Sequence, residues 1–287
     1  MSRQKRIITI QDISCLGRCS ITVALPVLSA AGIETTILPT AMLSTHTGGF
    51  TGFTFADLES EVMPIVDHWM SLDDVYFNSV YTGYLASEDQ IKLIDQAITK
   101  LKTKHDLFVM VDPAMADNGK MYPAFKDEFA KVMLTLCKKA DLIVPNLTEA
   151  CKMTDTEYIS GVTSKEYIEE IIQKLVKEGI NKIVLTSVCL EEGMVGTCSY
   201  ENGVIKYYFK DRIEGYFHGS GDVYSSSLLA AILKGMNLEE AVKVATEYTY
   251  AAISRTKKAG TPVRYGVNFE EEIPLLISLL KKTCIKE

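Results

Sequence analysis

The sequence predicts an α/β protein of three layers, a central, mostly parallel sheet between two sets of helices. Short apolar runs alternate with amphipathic stretches along nearly the whole chain, as repeated strand–helix units require. The runs are continuous rather than alternating in polarity, which suits strands covered on both faces. One pair of runs around Glu201-Asn202-Gly203 reads instead as an antiparallel hairpin at a sheet edge.

Residues 6–11 form the first strand-like run, and residues 20–31 a helix closed by Gly32. Residues 34–38 and 75–78 read as strands. The helix at 87–104 opens with Ser87 and Gln90 at capping-box spacing. A strand at 107–111 follows, then a helix at 124–139, and a strand at 142–144 ended by Pro145. The helix at 164–177 carries Thr163 and Glu166 at the same capping spacing and stops at Gly179. A strand at 182–186, the hairpin at 194–200 and 204–209, and helices at 221–234, 238–257 and 269–282 complete the chain. Residues 44–55 depart from the pattern. Their Thr, Gly and Phe residues resist regular structure and read either as an anchored surface loop or as a flap over a substrate.

The 287 residues are expected to form a single domain, 1–287, and a chain this long buries about three quarters of its unfolded surface. A net charge of −7 argues against a nucleic-acid partner, yet leaves room for phosphate held by backbone amides. The seven cysteines (Cys15, Cys19, Cys137, Cys151, Cys189, Cys198 and Cys284) form no CxxC pair, so a zinc site is not expected and free thiols are. No signal-like segment and no apolar run of membrane length is present, so a cytoplasmic protein is expected. The four histidines show no ligand spacing, and His68 and His105 are expected on helix surfaces.

In open parallel sheets, ligands gather outside the carboxyl ends of the strands. The polar residues expected there are Gln11 and Asp12, residues 79–84, Asp112, Asn146 and Glu149, and Thr186 with Ser187. Their carboxylates and amides suit a metal and a polyphosphate, although strand ends are commonly polar. His218-Gly219-Ser220-Gly221-Asp222 precedes a helical stretch. Its glycines allow close backbone approach, and successive N–H groups at a helix start form an anion hole. Asp222 would there meet a substrate hydroxyl and take its proton. The same residues also fit a plain turn with Asp222 as a helix cap. The Walker pattern fails because Gly119-Lys120 is followed by Met121, and protein-kinase and dinucleotide signatures are absent.

These segments together resemble the ribokinase superfamily, and within it the pyridoxal/pyridoxamine (vitamin B6) kinases. Gly219-Ser220-Gly221-Asp222 is similar to the superfamily's anion hole and base. Gly83-Tyr84-Leu85-Ala86-Ser87 resembles the Gly-Tyr-Leu-Gly-Ser segment of B6 kinases, and Asp112-Pro113-Ala114-Met115 their Asp-Pro-Val-Met. Pro145-Asn146-Leu147-Thr148-Glu149 resembles Pro-Asn-x-x-Glu, and Ser44-Thr45-His46-Thr47-Gly48 the Ser-Asn-His-Thr stretch. The resemblance covers nearly the whole chain and implies a ribokinase-like fold with ATP and Mg²⁺ as cofactors. It implies Asp222 as base on the 5′-hydroxymethyl group and Gly219, Ser220 and Gly221 as the anion hole. It also implies Asp112 and Glu149 around magnesium, Asn146, Thr186 and Ser187 beside the nucleotide, and Thr47 and Tyr84 on the B6 ring. A homodimer is implied too, and a monovalent cation is left open.

Two positions depart from the family pattern. Asp12 stands where B6 kinases of the better-known kind carry a serine on the pyridine ring, so that either Asp12 or Ser14 meets the ring. Thr45 replaces an asparagine. The related hydroxymethylpyrimidine kinases share the fold, but their Gly-Ser-Asp-Ser-Gly-Gly loop matches residues 12–17 poorly. Asp222-Val223 leaves no cysteine beside the anion hole for a thiohemiacetal. A sugar kinase and a binding protein without activity are the remaining alternatives.

Overall fold

The computed structural model describes residues 3–281. The chain runs β1 (Arg6–Ser14), α1 (Ile21–Ala30), β2 (Glu34–Leu43), β3 (Phe55–Asp57), α2 (Glu59–Ser71), β4 (Ser79–Thr82) and α3 (Glu88–Lys102). It continues β5 (Phe108–Val111), β6 (Ala116–Asp117), β7 (Lys120–Met121), α4 (Glu128–Cys137), β8 (Leu142–Ile143), α5 (Leu147–Met153) and α6 (Lys165–Lys177). The last elements are β9 (Lys182–Val188), β10 (Met194–Glu201), β11 (Val204–Asp211), α7 (Ser220–Leu233), α8 (Leu238–Ala259) and α9 (Ile273–Lys281).

One nine-stranded sheet has the order β11-β10-β9-β8-β5-β4-β1-β2-β3. The six strands from β9 to β2 are parallel, and β3, β10 and β11 add antiparallel edges. Successive strand residues point to opposite faces. Ile8, Ile10, Val80 and Val109 therefore meet α2 to α6 on one side. Ile7, Tyr81, Met110 and Val184 meet α1, α7, α8 and α9 on the other. This is the three-layer α/β/α architecture read from the sequence.

Several boundaries differ. The strand expected at 75–78 lies at β4, where Ser79, Val80, Tyr81 and Thr82 are all buried. Phe77 instead enters the core against Trp69 and His105. Ser79 is tolerated there because it donates its hydroxyl to the Phe108 carbonyl. His105, expected on a helix surface, is 8% exposed and packs edge-on against Phe77. Thr163 does not cap α6. Ser164 does, accepting from Tyr167 N–H, while Thr163 bonds the Cys189 carbonyl. The last helix, expected over 269–282, begins as a 3₁₀ turn, and Lys282 and Cys284 lie outside the described residues. Among the described residues, no helix is long and apolar enough to cross a membrane.

Candidate active site

The carboxyl ends of β1, β4, β5, β8 and β9 meet the N-termini of α5 and α7, where the dipoles and unpaired amides favour anions. β1 does not end at Gln11. It runs to Ser14 through a register shift between Gln11 and Ile13, where Asp12 alone faces Thr40 and Ala41, so that the extra residue of the bulge lies in β2. Bulges re-aim side chains beside active sites. The Asp12 carboxylate is buried and accepts from the Ser14 hydroxyl at 2.9 Å and the Ser20 hydroxyl at 2.5 Å. Burial raises its pKa, against the lowering by Ser20 and Ser14. Tyr84 lies close by. Burial, and then the Asp12 charge, push its phenol up to about 12.

Gly219 caps α7 with φ +75°, a left-handed geometry natural to glycine. A Cβ there would stand 2.0 Å from the Arg18 carbonyl oxygen, so any other residue would clash with backbone. The first helical bond runs from Val223 N to Gly219 O. The amides of Gly221 and Asp222 thus precede the ladder, with no backbone acceptor outside the helix among the described residues. The space over Gly221 is open, with nothing within 4 Å of an added Cβ. Asp222 lies in the first turn and is not the cap, so the plain-turn alternative does not describe it. Its pKa rises to about 7, chiefly by burial and further through Asp112 and Asp12, against the lowering by the Ser20 amide.

Asp112, at the end of β5, accepts from the Ser225 hydroxyl of α7 at 2.7 Å. Glu149 closes a capping box with Asn146 at the start of α5. Its carboxylate accepts the N–H of Asn146 at 2.8 Å and of Met115 at 3.1 Å. Burial raises both acids, and the nearby charge of Asp112 raises Glu149 further. Asp12, Asp222, Asp112 and Glu149 therefore form a run of desolvated carboxylates. No lysine or arginine is among the leading influences on any of them. Among the described residues, no three metal-ligating side chains form a ready-made cage. The set fits a cation that keeps much of its water and leans on one or two carboxylates and on phosphate oxygens, as magnesium does.

The other expected residues lie around this run. The Asn146 amide is engaged, donating to the Ala116 carbonyl at 2.8 Å. Thr186 bridges to Asn146 at the end of β9, and exposed Ser187 takes φ +62°. Thr47 is exposed on the loop over 44–55. That loop is anchored by buried His46, whose Nδ1 accepts from Gly48 N–H, leaving Nε2 to donate to the Arg264 carbonyl at 2.7 Å. The His46 ring lies 5.1 Å from the His218 ring, and His218 contacts Tyr216 edge-on at 4.6 Å. Burial, aided by His46, lowers the His218 pKa to about 4.

Sequence reasoning missed Ser20, Ser225 and the hairpin β6–β7. Ser225 was legible as the residue one helical turn from Asp222. The hairpin carries Asn118-Gly119, the strongest short turn signal, and its Gly119 N–H donates to Thr148 of α5.

Known proteins share this fold. The phosphomethylpyrimidine kinase family model matches residues 21–266. A pyridoxal kinase of Arabidopsis thaliana is 27% identical over 89% of this chain and 84% of its own. The crystal structure of a Bacteroides thetaiotaomicron protein assigned to phosphomethylpyrimidine kinases superposes with a TM-score of 0.90 and 31% identity, over 96% of this chain and 94% of its own. Its orthorhombic form was crystallised with pyridoxal. The pyridoxal kinase of Lactobacillus plantarum superposes with a TM-score of 0.87 and 25% identity, over 98% and 99% of the two chains. A matched span covering most of the chain, on a ribokinase-like sheet, places the chain in the phosphomethylpyrimidine kinase family.

Proposed function

We propose that this chain transfers the γ-phosphoryl group of ATP to the 5′-hydroxymethyl group of a B6 vitamer: pyridoxal, pyridoxamine or pyridoxine. The observation that carries the reading is Asp222 at two unpaired amides at the start of α7, near the buried carboxylates of Asp12 and Glu149 and the half-buried one of Asp112. Relatives that act as pyridoxal kinases, and the pyridoxal-bearing crystal form of the Bacteroides protein, support the substrate class.

In this reading Asp222 accepts the hydroxyl proton as the oxygen attacks. A pKa of about 7 suits a base that must be ionised near neutrality yet retain basicity. The amides of Gly221 and Asp222, with Gly219 at the rim, line the anion hole and meet charge on the transferring phosphoryl, whereas the Ser220 amide expected there is engaged, donating to the Phe217 carbonyl at 3.3 Å. Asp112 and Glu149 would hold a hydrated magnesium ion, Asp112 oriented by Ser225 and Glu149 by three backbone amides. Magnesium supplies neutralisation of the β- and γ-phosphate charge. Asn146, Thr186 and Ser187 line the nucleotide side, the Asn146 side chain by fixing α5 rather than by a free amide. Tyr84, Thr47 and the Asp12–Ser14 pair flank the ring. One kinase domain spanning the chain, assembly as a homodimer and cytoplasmic residence belong to the same proposal, and light scattering of the purified protein checks the dimer.

The test is an ADP-release assay with MgATP, run on the three vitamers and hydroxymethylpyrimidine, with Asp222→Asn as control. Turnover on vitamers that collapses in the variant supports the proposal. A preference for the pyrimidine moves the substrate to the other branch of the family. No turnover on any ring overturns the reading.

A further inference from the structure

Ser20 stands immediately before α1, where a serine ordinarily caps the helix by accepting an amide N–H. Here it makes no such bond. Its hydroxyl instead donates to Asp12 at 2.5 Å, and its carbonyl accepts the amides of Val23 and Ala24. Its backbone is held at φ 53°, ψ −129°. That is the geometry of the first central residue of a type II′ turn, a place glycine occupies freely and other residues occupy under strain. The N–H of this strained residue lies near enough to the Asp222 carboxylate to lower its pKa. The same loop braces the catalytic turn a second time, because the Arg18 carbonyl fills the space that a Gly219 Cβ would need. Arg18 N–H in turn bonds the Tyr265 carbonyl, so this wall is itself tied down.

We propose that Ser20 is a positioning residue of the phosphoryl transfer: its hydroxyl, bonded to Asp12, locks a left-handed backbone whose N–H holds the Asp222 carboxylate in line with the substrate hydroxyl. The inference rests on the reading of Asp222 as the base and deepens it. The physical logic is a balance. A hydrogen bond to a buried, ionised carboxylate is among the stronger ones available and offsets the strain at Ser20. Without the hydroxyl, Ser20 relaxes towards negative φ. The Cys19–Ser20 peptide plane then rotates and its N–H leaves Asp222.

This balance predicts an unusual order of variants. Ser20→Ala keeps a Cβ but lacks the bond that offsets strain, so the backbone moves. Ser20→Gly lacks the hydroxyl too, but adopts the same φ and ψ at no steric cost and keeps the N–H in place. A merely structural role would give the same order in Tm, since glycine is unstrained at this backbone, but would leave the kcat of both folded variants near wild type.

The experiment measures kcat and both KM values for the full chain with MgATP and the preferred vitamer, alongside melting curves. Ser20→Ala is expected to lose about 10–100-fold in kcat, in keeping with a small displacement of a reacting group, with the ATP KM within about threefold. Ser20→Gly is expected within about fivefold of the wild-type kcat. The vitamer KM should rise alike in both, because Asp12 loses the same partner. Wild-type kcat in Ser20→Ala, or a glycine variant as slow as the alanine one, overturns the proposal. If Ser20→Ala does not fold, Asp12→Asn weakens the same bond from the other side, and an unchanged kcat there counts equally against it. Asp222→Asn separates the two readings. A fast Asp222→Asn enzyme removes the base and the Ser20 role together, whereas a slow one with a fast Ser20→Ala enzyme removes Ser20 alone.

Discussion

Asp222→Asn should abolish most turnover and at the same time stabilise the protein. The carboxylate is enclosed by protein, and its pKa rises from 3.8 to about 7. The folded state therefore binds the proton more tightly than the unfolded state. The contribution of this one group to stability is greatest below pH 3.8, falls as pH rises from there to about 7, and bears the full cost of the charge above it. That interval corresponds to about 4 kcal/mol at most. Asp222 keeps part of its surface open to the site mouth, so solvent screening reduces the figure. The asparagine amide must also find partners, which leaves a net gain of about 2 kcal/mol. For a chain of this size that is roughly 4–8 °C in Tm. Melting curves of both proteins from pH 5.5 to 8.5 should show a gap that widens with pH and levels off above about 7. Turnover should fall by about 10²–10⁴. Wild-type kcat/KM should decline below about pH 7 as the base is protonated. A variant that is slow but no more stable at pH 8 than at pH 5.5 would show that the carboxylate carries no desolvated charge. Turnover within about threefold of wild type would refute the general base itself.

Four further outcomes follow from the same geometry. Gly219→Ala meets backbone at 2.0 Å and a φ of +75°, so it should lose about 1–3 kcal/mol or more and most turnover. Gly221→Ala meets nothing within 4 Å and should keep or raise Tm, while its methyl obstructs the phosphate and lowers turnover; calorimetry beside the ADP assay distinguishes the pair. Glu149→Gln can no longer accept amides at both of its oxygens, and should raise the magnesium needed for half-maximal rate, or lower the rate, by about 10–100-fold. A magnesium titration unchanged from wild type would separate Glu149 from the metal. Asp12→Ser removes a charge that raises the Asp222 pKa, so the acid limb of kcat/KM should move to lower pH and the vitamer ranking should change. An unmoved limb would place Asp12 outside the reach of the base.

Regular elements were legible where local chemistry is strong. The Ser87 cap of α3, the hairpin on Asn202-Gly203 and the long amphipathic α8 depend on neighbours within a few residues. β4 was displaced by four residues because Val75, Tyr76 and Phe77 are more apolar than Ser79-Val80-Tyr81-Thr82. Hydrophobic runs do not reveal that Ser79 will find the Phe108 carbonyl on the neighbouring strand. α5 was missed because seven residues give too short a period to recognise, although Asn146 and Glu149 stood at capping-box spacing.

The amino-acid sequence by itself determined the layered α/β architecture and the Gly219–Asp222 turn, because alternation of runs and glycine spacing are local properties. The tertiary structure decided what the polar residues do. Only the pairing with β2, whose bulge lies opposite Asp12, and the approach of the α1 loop bring Ser20 between Asp12 and Asp222. Burial raises the pKa of all four carboxylates, and their different places in the fold are what the proposed roles of base and cation holder rest on. Desolvation and the field of distant charges are summed over residues more than a hundred positions apart, and proximity in sequence carries no record of them.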